Sequence, residues 1–208
     1  MPGANVVLTG GSTPRATYER LAAKGLDWSG VGLWFTDERC VPPDHDQSNY
    51  RMVAEALLDR IDGAEAHRIE AERGPDEGAA AYERELRDVF SDGVPSFELV
   101  LLGVGPDAHI CSLFPNDAAL GERERLAVGV ETPGMAPLVS RVTLTLPVVN
   151  AAREVVFLVS GEDKADALRR AFSGAPDPSA PASLVDPESG SMTLIADPAA
   201  ATGLDAGQ

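Results

Sequence analysis

Cysteine, positive charge and long apolar runs are all scarce in this chain. Two cysteines among 208 residues cannot staple a disulfide framework, and reduced thiols in a cytosolic compartment are the simplest reading. No apolar run approaches the ~20 residues of a membrane span. The opening, MPGANVVLTGG, has neither the basic leader nor the apolar length of a signal peptide. A cytoplasmic protein is therefore expected. Bases number 17 against 33 acids, a formal charge of -16, which argues against a nucleic-acid backbone or an anionic membrane surface as partner. If the ligand is itself an anion, the few bases that meet it must be concentrated in one place.

What is present is ordinary for a globular protein: 44% hydrophobic and 24% charged residues, with a length that one core can serve. A single domain over 1–208 is expected. Its organising stretch is Phe97 to Pro115, FELVLLGVGPDAHICSLFP. Phe97 to Gly103 has almost no polar relief and reads as a strand buried on both faces, as in a parallel sheet. Gly103, Gly105 and Pro106 end it, and Asp107, His109 and Cys111 follow at once. Open α/β sheets bind their ligands just past the carboxyl ends of central strands.

Strand and helix alternate through the rest. Asn5 to Thr9 is a strand; Gly10, Gly11, Ser12, Thr13 and Pro14 follow it, with Ser12 or Thr13 as the cap of a helix from Pro14 to about Lys24. Glycines ahead of a helix N-terminus let backbone N–H groups approach an anion, although the same pentapeptide also serves as a plain βα turn. Val31 to Thr36 is the second strand and runs into Asp37-Glu38-Arg39, where Arg39 offers a planar fork to a phosphate or an oxyanion, or else closes a solvated ion pair. Ser48 caps a helix reaching Arg60, with Tyr50, Val53, Leu57 and Ile61 on its stripe. A strand around His67 to Glu70 precedes a helix from Pro75 to Phe90 that buries Ala79, Tyr82, Leu86, Val89 and Phe90.

Past the central stretch, Asn116 to Gly134 is acidic loop with a strand at Leu126 to Val130. Arg141 to Leu146 alternates like a strand with one exposed face. Pro147 starts a short helix ending near Arg153, and Glu154 to Ser160 is a strand closed by Gly161. Lys164 falls in the first turn of a helix from Glu162 to Phe172, unfavourable to that helix's dipole unless a ligand or a neighbouring acid meets it. Ser173 to Pro187 is loop, Met192 to Ala196 a last strand, and Thr202 to Gln208 is expected to fray. The pattern gives an α/β fold: an open, mostly parallel sheet with helices on both faces.

Four strand ends thus carry the glycine turn, Asp37-Glu38-Arg39, Asp107-Ala108-His109, and Gly161 with Lys164. An anion cradle, two bases and a histidine suit a phosphorylated small molecule. His109 has the chemistry of a general base near neutral pH, and Asp107 could orient its ring. Two rivals use the same residues. A Cys111–His109 thiol pair suffers from its two-residue spacing, and a zinc site from Cys40, His45, His109 and Cys111 lacks the short paired spacings of structural zinc.

Several blocks, LTGGSTP (Leu8 to Pro14), FTDERCVPPDHDQSNYRM (Phe35 to Met52), LLGVGPDAHICSLFP (Leu101 to Pro115), RVTLTLPVVNAAREVVFLVSGEDKADAL (Arg141 to Leu168) and PAS (Pro181 to Ser183), resemble in order those of the 6-phosphogluconolactonases. These belong to a wider superfamily with the glucosamine-6-phosphate deaminases. The resemblance implies a Rossmann-like fold of the sugar-phosphate isomerase/lactonase type. It implies hydrolysis of 6-phosphogluconolactone in the oxidative pentose phosphate pathway, with no cofactor, no metal, and a monomer or weak homo-oligomer. By position, His109 is the base that activates water, Asp107 supports it and Arg39 steadies the oxyanion. Gly10, Gly11, Ser12, Asp37 and Lys164 meet the substrate and its phosphate. Against a deaminase, Arg39 stands where an aromatic is usual, and Ser-Leu-Phe-Pro at 112–115 replaces a motif bearing a second acid. Two departures are Ala108 in place of a usual glycine, which strains the loop if φ is positive there, and a start that is short relative to the family, which leaves one sheet face less covered. A catalytically weak sugar-phosphate-binding regulator is the alternative on the same scaffold.

Overall fold

The computed structural model describes residues 3–91 and 93–204; the end of the tail expected to fray, 205–208, lies outside the described residues. β1 (Asn5–Leu8) leads through Gly10 and Gly11 into α1 (Ser12–Ala22). Neither Ser12 nor Thr13 caps this helix, contrary to expectation. Gly11 occupies the cap position at φ 115, a conformation that suits glycine, and Ser12 is already helical. Thr13 Oγ1 instead lies 2.6 Å from Ser160 Oγ.

β2 (Gly32–Phe35) is followed by β3 (Asp37–Arg39), and Ser48 caps α2 (Asn49–Ala56) by accepting the Arg51 N–H at 3.1 Å. β4 (Glu65–Ala66) falls two residues ahead of the expected His67 to Glu70, at the sheet's edge. α3 (Pro75–Phe90) has the expected bounds, but Val89 is 48% exposed. β5 (Leu99–Leu102), β6 (Ala127–Val130), β7 (Arg141–Leu144), α4 (Leu146–Asn150), β8 (Glu154–Val159), α5 (Ala165–Phe172) and β9 (Ser191–Ala196) complete the order. Lys164 is the cap of α5, after a 3-10 turn from Glu162, and so lies just outside the helix rather than within its first turn. Ala200–Gly203 forms a further 3-10 turn, so Thr202 and Gly203 are ordered into structure.

Six strands make a wholly parallel sheet in the order β4-β2-β1-β5-β8-β9, and three make a separate antiparallel ribbon, β3-β7-β6. Sequence patterning placed no strand at Asp37-Glu38-Arg39 and gave β7 an exposed face. In the ribbon, all four residues of β7 are buried. The face bearing Arg141 and Thr143 meets Ser112, and Val142 belongs to the hydrophobic core. Alternation in β7 therefore separates a polar site from the core, not water from the core.

Neighbouring strand residues point to opposite faces, and this places the helices. Trp34 packs against Tyr82 and Phe90 of α3, while Phe35 packs against Tyr50 of α2. Phe157, on the Trp34 side by register through Val7, Val100 and Val155, meets Phe172 of α5. α3 and α5 therefore cover one face, and α2, with α1 packed on it, covers the other. Cover is thinnest at β9, where Met192 is 44% and Ile195 56% exposed.

Two tyrosines finish the strands at the rim where the chain leaves the sheet. The Tyr18 hydroxyl accepts the Thr9 N–H at 2.9 Å and donates to the Thr9 carbonyl at 3.0 Å. The Tyr82 hydroxyl treats Phe35 in the same way, at 2.9 and 3.1 Å. Each phenol supplies the donor and the acceptor that a neighbouring strand would have offered. Burial raises the pKa of both, so both stay protonated.

Candidate active site

Because the strands are parallel, their carboxyl ends share one edge. The sheet order reverses between β1 and β5: β2 lies on one side and β8 on the other, and the crevice opens at that switch point. A cleft of about 200 Å³ lies there, walled by Gly10, Gly11, Asp37, Arg39, His109 and Lys164 together with Asn49, Cys111, Arg141 and the turn 103–106. Ser12 lines an adjoining hollow with Thr13, Ser160 and Lys164. Asp107 stands behind His109 rather than in the wall.

The His109 loop depends on its glycine. Asp107 Oδ1 lies 2.5 Å from His109 Nδ1 and accepts the His109 N–H at 3.2 Å. The ring also packs on Phe114, centroids 4.7 Å apart. A Cβ on Gly105 would fall 2.1 Å from His109 Nδ1, so only glycine lets the imidazole lie where it does. Partial burial raises the Asp107 carboxyl, but the hydrogen bond and charge of His109 outweigh it and hold the group below its ordinary value. Ala108 has φ 69, the left-handed conformation that glycine adopts freely and alanine does not.

Opposite stands an arginine pair. β3 and β7 put Arg39 directly across from Arg141, a like-charge pairing that destabilises an empty ribbon and that an anion between them would relieve. Arg39 Nη1 donates to the Gln47 carbonyl at 2.6 Å, and its buried Nε has no partner among the described residues. Arg141 is only 3% exposed; its Nη2 donates to the Pro137 carbonyl at 2.9 Å and its Nη1 to Ser112 Oγ at 3.4 Å. Burial lowers the Arg141 pKa against the pull of Asp37, and the neighbouring Arg39 adds to the lowering. Lys164 Nζ, 3.4 Å from the exposed Asp163, supplies a third cation nearer the glycine turn.

The acids of Asp37-Glu38 play supporting parts. Glu38 accepts the N–H groups of Asn49 and Tyr50 at 2.8 and 2.7 Å and the Ser48 hydroxyl at 2.9 Å, capping α2 from outside. Burial lifts its pKa while those donors pull it down, and burial prevails. Asp37 accepts from Ser112 Oγ at 2.6 Å and from Thr36 Oγ1 at 3.0 Å. Both carboxylate oxygens are thus occupied, and the charge of Asp37 acts on the nearby Arg141. Asn49 Nδ2 donates to the Asp37 carbonyl at 2.9 Å, and a Cβ on Gly10 would meet Asn49 Oδ1 at 2.1 Å. Asn49 thus docks the glycine turn against β3.

Arg141 and Asn49 escaped the sequence reading. The one signal for Arg141 was a charge at the head of an alternating strand. The rivals fare poorly. Burial pushes the Cys111 thiol well above its ordinary value, with Asp37 adding to the shift, so no thiolate nucleophile is on hand. Among the described residues no three His, Cys, Asp or Glu side chains cluster as a metal site.

Comparison with known proteins places the chain in a family. The family model described as Glucosamine-6-phosphate isomerases/6-phosphogluconolactonase matches residues 2–194. A 6-phosphogluconolactonase of Streptomyces coelicolor is 41% identical over 194 residues, covering 86% of this chain and 74% of that protein. One from Homo sapiens is 43% identical over 173 residues, covering 81% and 66%. The crystal structure of 6-phosphogluconolactonase from Thermotoga maritima superposes with a TM-score of 0.83 at 32% identity, covering 95% of this chain and 87% of that one. An arginine-lined cleft at the switch point and a match across nearly the whole chain lead to one conclusion: the chain belongs to the glucosamine-6-phosphate isomerase/6-phosphogluconolactonase family, and its near relatives there are 6-phosphogluconolactonases.

Proposed function

We propose that this chain hydrolyses 6-phosphogluconolactone to 6-phosphogluconate, with His109 as the base that activates water. The observation that carries the reading is the Asp107–His109 pair, 2.5 Å apart, whose imidazole faces the same cleft as Arg39, Arg141, Lys164 and the glycine turn.

With Nδ1–H given to Asp107, Nε2 is left as the proton acceptor. Water bound there loses a proton to Nε2 as its oxygen attacks the lactone carbonyl carbon, and the carbonyl oxygen becomes an oxyanion. The Arg39 guanidinium, whose Nε has no partner among the described residues, stabilises that charge. As the tetrahedral intermediate collapses, the ring C–O bond breaks and the departing oxygen takes the proton back from Nε2. His109 ends as it began. Asp107 keeps the ring in one tautomer and stabilises the imidazolium between the two transfers. Lys164 and the N–H groups at Gly10, Gly11 and Ser12 hold the phosphate, where the α1 dipole favours negative charge.

Lactone opening measured on purified protein tests this. The parent is expected to accelerate it, and His109→Ala to lower kcat by ~100-fold or more with an unchanged fold. Equal rates in the two would remove His109 from the mechanism. Ammonia release from glucosamine 6-phosphate would favour a deaminase, and binding of 6-phosphogluconate without turnover a regulator.

A further inference from the structure

The loop that carries His109 is gripped from outside. Two of its bonds are internal: the Gly105 N–H donates to the His109 carbonyl at 2.9 Å, and the Ala108 N–H to the Gly105 carbonyl at 2.9 Å. The carbonyls of Asp107 and Ala108 belong to the peptide planes on either side of Ala108, and both accept from distant segments. The Ala182 N–H donates to the Ala108 carbonyl at 2.9 Å. Arg170 Nη1, from the last turn of α5, donates to the Asp107 carbonyl at 3.3 Å, and its Nη2 donates to the Ser179 carbonyl.

Ala108 at φ 69 lies in a conformation that a residue with a Cβ adopts only under strain. Such a residue persists only where its surroundings fix it. A rigid guanidinium fork bridging two carbonyls can do so; a single ammonium donor cannot hold both in one plane.

We propose that Arg170 is a positioning residue for His109. By fixing the peptide plane ahead of Ala108, it keeps the imidazole bonded to Asp107 and aimed into the cleft. Arg170 does not itself line the cleft, so it acts through the loop and not on the substrate.

The kinetic part of the test rests on the lactonase reading; a spectroscopic part does not. A kinetic cycle compares the parent, Arg170→Met, His109→Ala and the double variant. Arg170→Met is expected to lower kcat about tenfold or more, as misplacement near the reacting atoms does, while KM stays within about threefold. Arg170→Lys should recover part of the loss. In the His109→Ala background the same change should have no further effect, because the group it aims is gone. An equal-fold loss in both backgrounds, or an unaltered kcat in folded Arg170→Met, overturns the proposal. If Arg170→Met does not fold, Arg170→Lys takes its place under the same criterion. The imidazole nitrogen resonances of His109 give the independent readout. Arg170→Lys should move them away from a single Nδ1-protonated tautomer; resonances identical to the parent's overturn the proposal even if the parent opens no lactone. An inactive parent whose His109 resonances do respond to Arg170→Lys would sink the lactonase reading alone.

Discussion

Gly105 has no room for a side chain. A Cβ there would lie 2.1 Å from His109 Nδ1 and 2.7 Å from Asp107 Oδ1, so Gly105→Ala must expel the imidazole from its place beside Asp107. Gly105 is not among the residues of positive φ, so the backbone itself accepts alanine. The expected outcome is a folded protein whose kcat falls by about 100-fold, as displacement of a catalytic group does. Circular dichroism paired with the lactone assay checks it, and a near-parent rate would contradict the geometry. A second residue-scale expectation concerns acid. The Asp107 pKa is lowered in the folded state, so its contribution to stability is present above the ordinary carboxylate value and is lost as pH falls through the folded one. The difference in unfolding free energy between the parent and Asp107→Asn should therefore shrink between about pH 5 and pH 2. Urea titrations across that range would reveal it; a constant difference would mean that the pairing adds no linked stability.

At the scale of elements, the tyrosine at each strand end makes the sheet continuous with the site. Tyr18→Phe leaves the buried Thr9 N–H and carbonyl without partners, which should cost about 2 kcal/mol or more. Chemical denaturation measures the loss, and an unchanged midpoint would show that the hydroxyl is dispensable. The same scale explains what could be read from the sequence. Apolar blocks closed by glycine, such as those ending at Gly10, Gly103 and Gly161, announced β1, β5 and β8, because a strand buried on both faces leaves that mark locally. β3 left none. Asp37-Glu38-Arg39 becomes a strand only through register with Arg141 to Thr143, about a hundred positions along the chain, and no local propensity encodes that pairing. Arg141 stayed hidden for the same reason: it looked like the wet face of an alternating strand, and only the tertiary fold sets it against Ser112 and Phe114. His109, Asp107, Arg39 and Lys164 were legible because each follows a strand end that the pattern did reveal. Asn49, next to the Ser48 cap, carried no signal of its own in the sequence.

The whole molecule carries a formal charge of -16, yet Lys164, one of only two lysines in the chain, lines the cleft together with Arg39 and Arg141. The long-range field repels a phosphorylated substrate and the short-range field attracts it. Salt screens the first before the second, because the Debye length falls from ~30 Å at 0.01 M to ~10 Å at 0.1 M and ~3 Å at 1 M. KM for the phosphorylated lactone should therefore drop between 0.01 and 0.1 M salt and climb again toward 1 M, while KM for unphosphorylated gluconolactone stays flat. Initial rates at three ionic strengths decide the matter, and parallel behaviour of the two substrates would deny the cleft its role as a local anion trap. The antiparallel ribbon adds a temporal consequence. Its β3–β7 pairing closes a span of about a hundred residues, whereas the β1–β2 pairing joins neighbours in the chain. Contacts between remote segments come at a higher entropic cost and tend to form late. During refolding, pairings between chain neighbours such as β1–β2 therefore form before the two guanidiniums are brought face to face, so catalytic competence trails compaction.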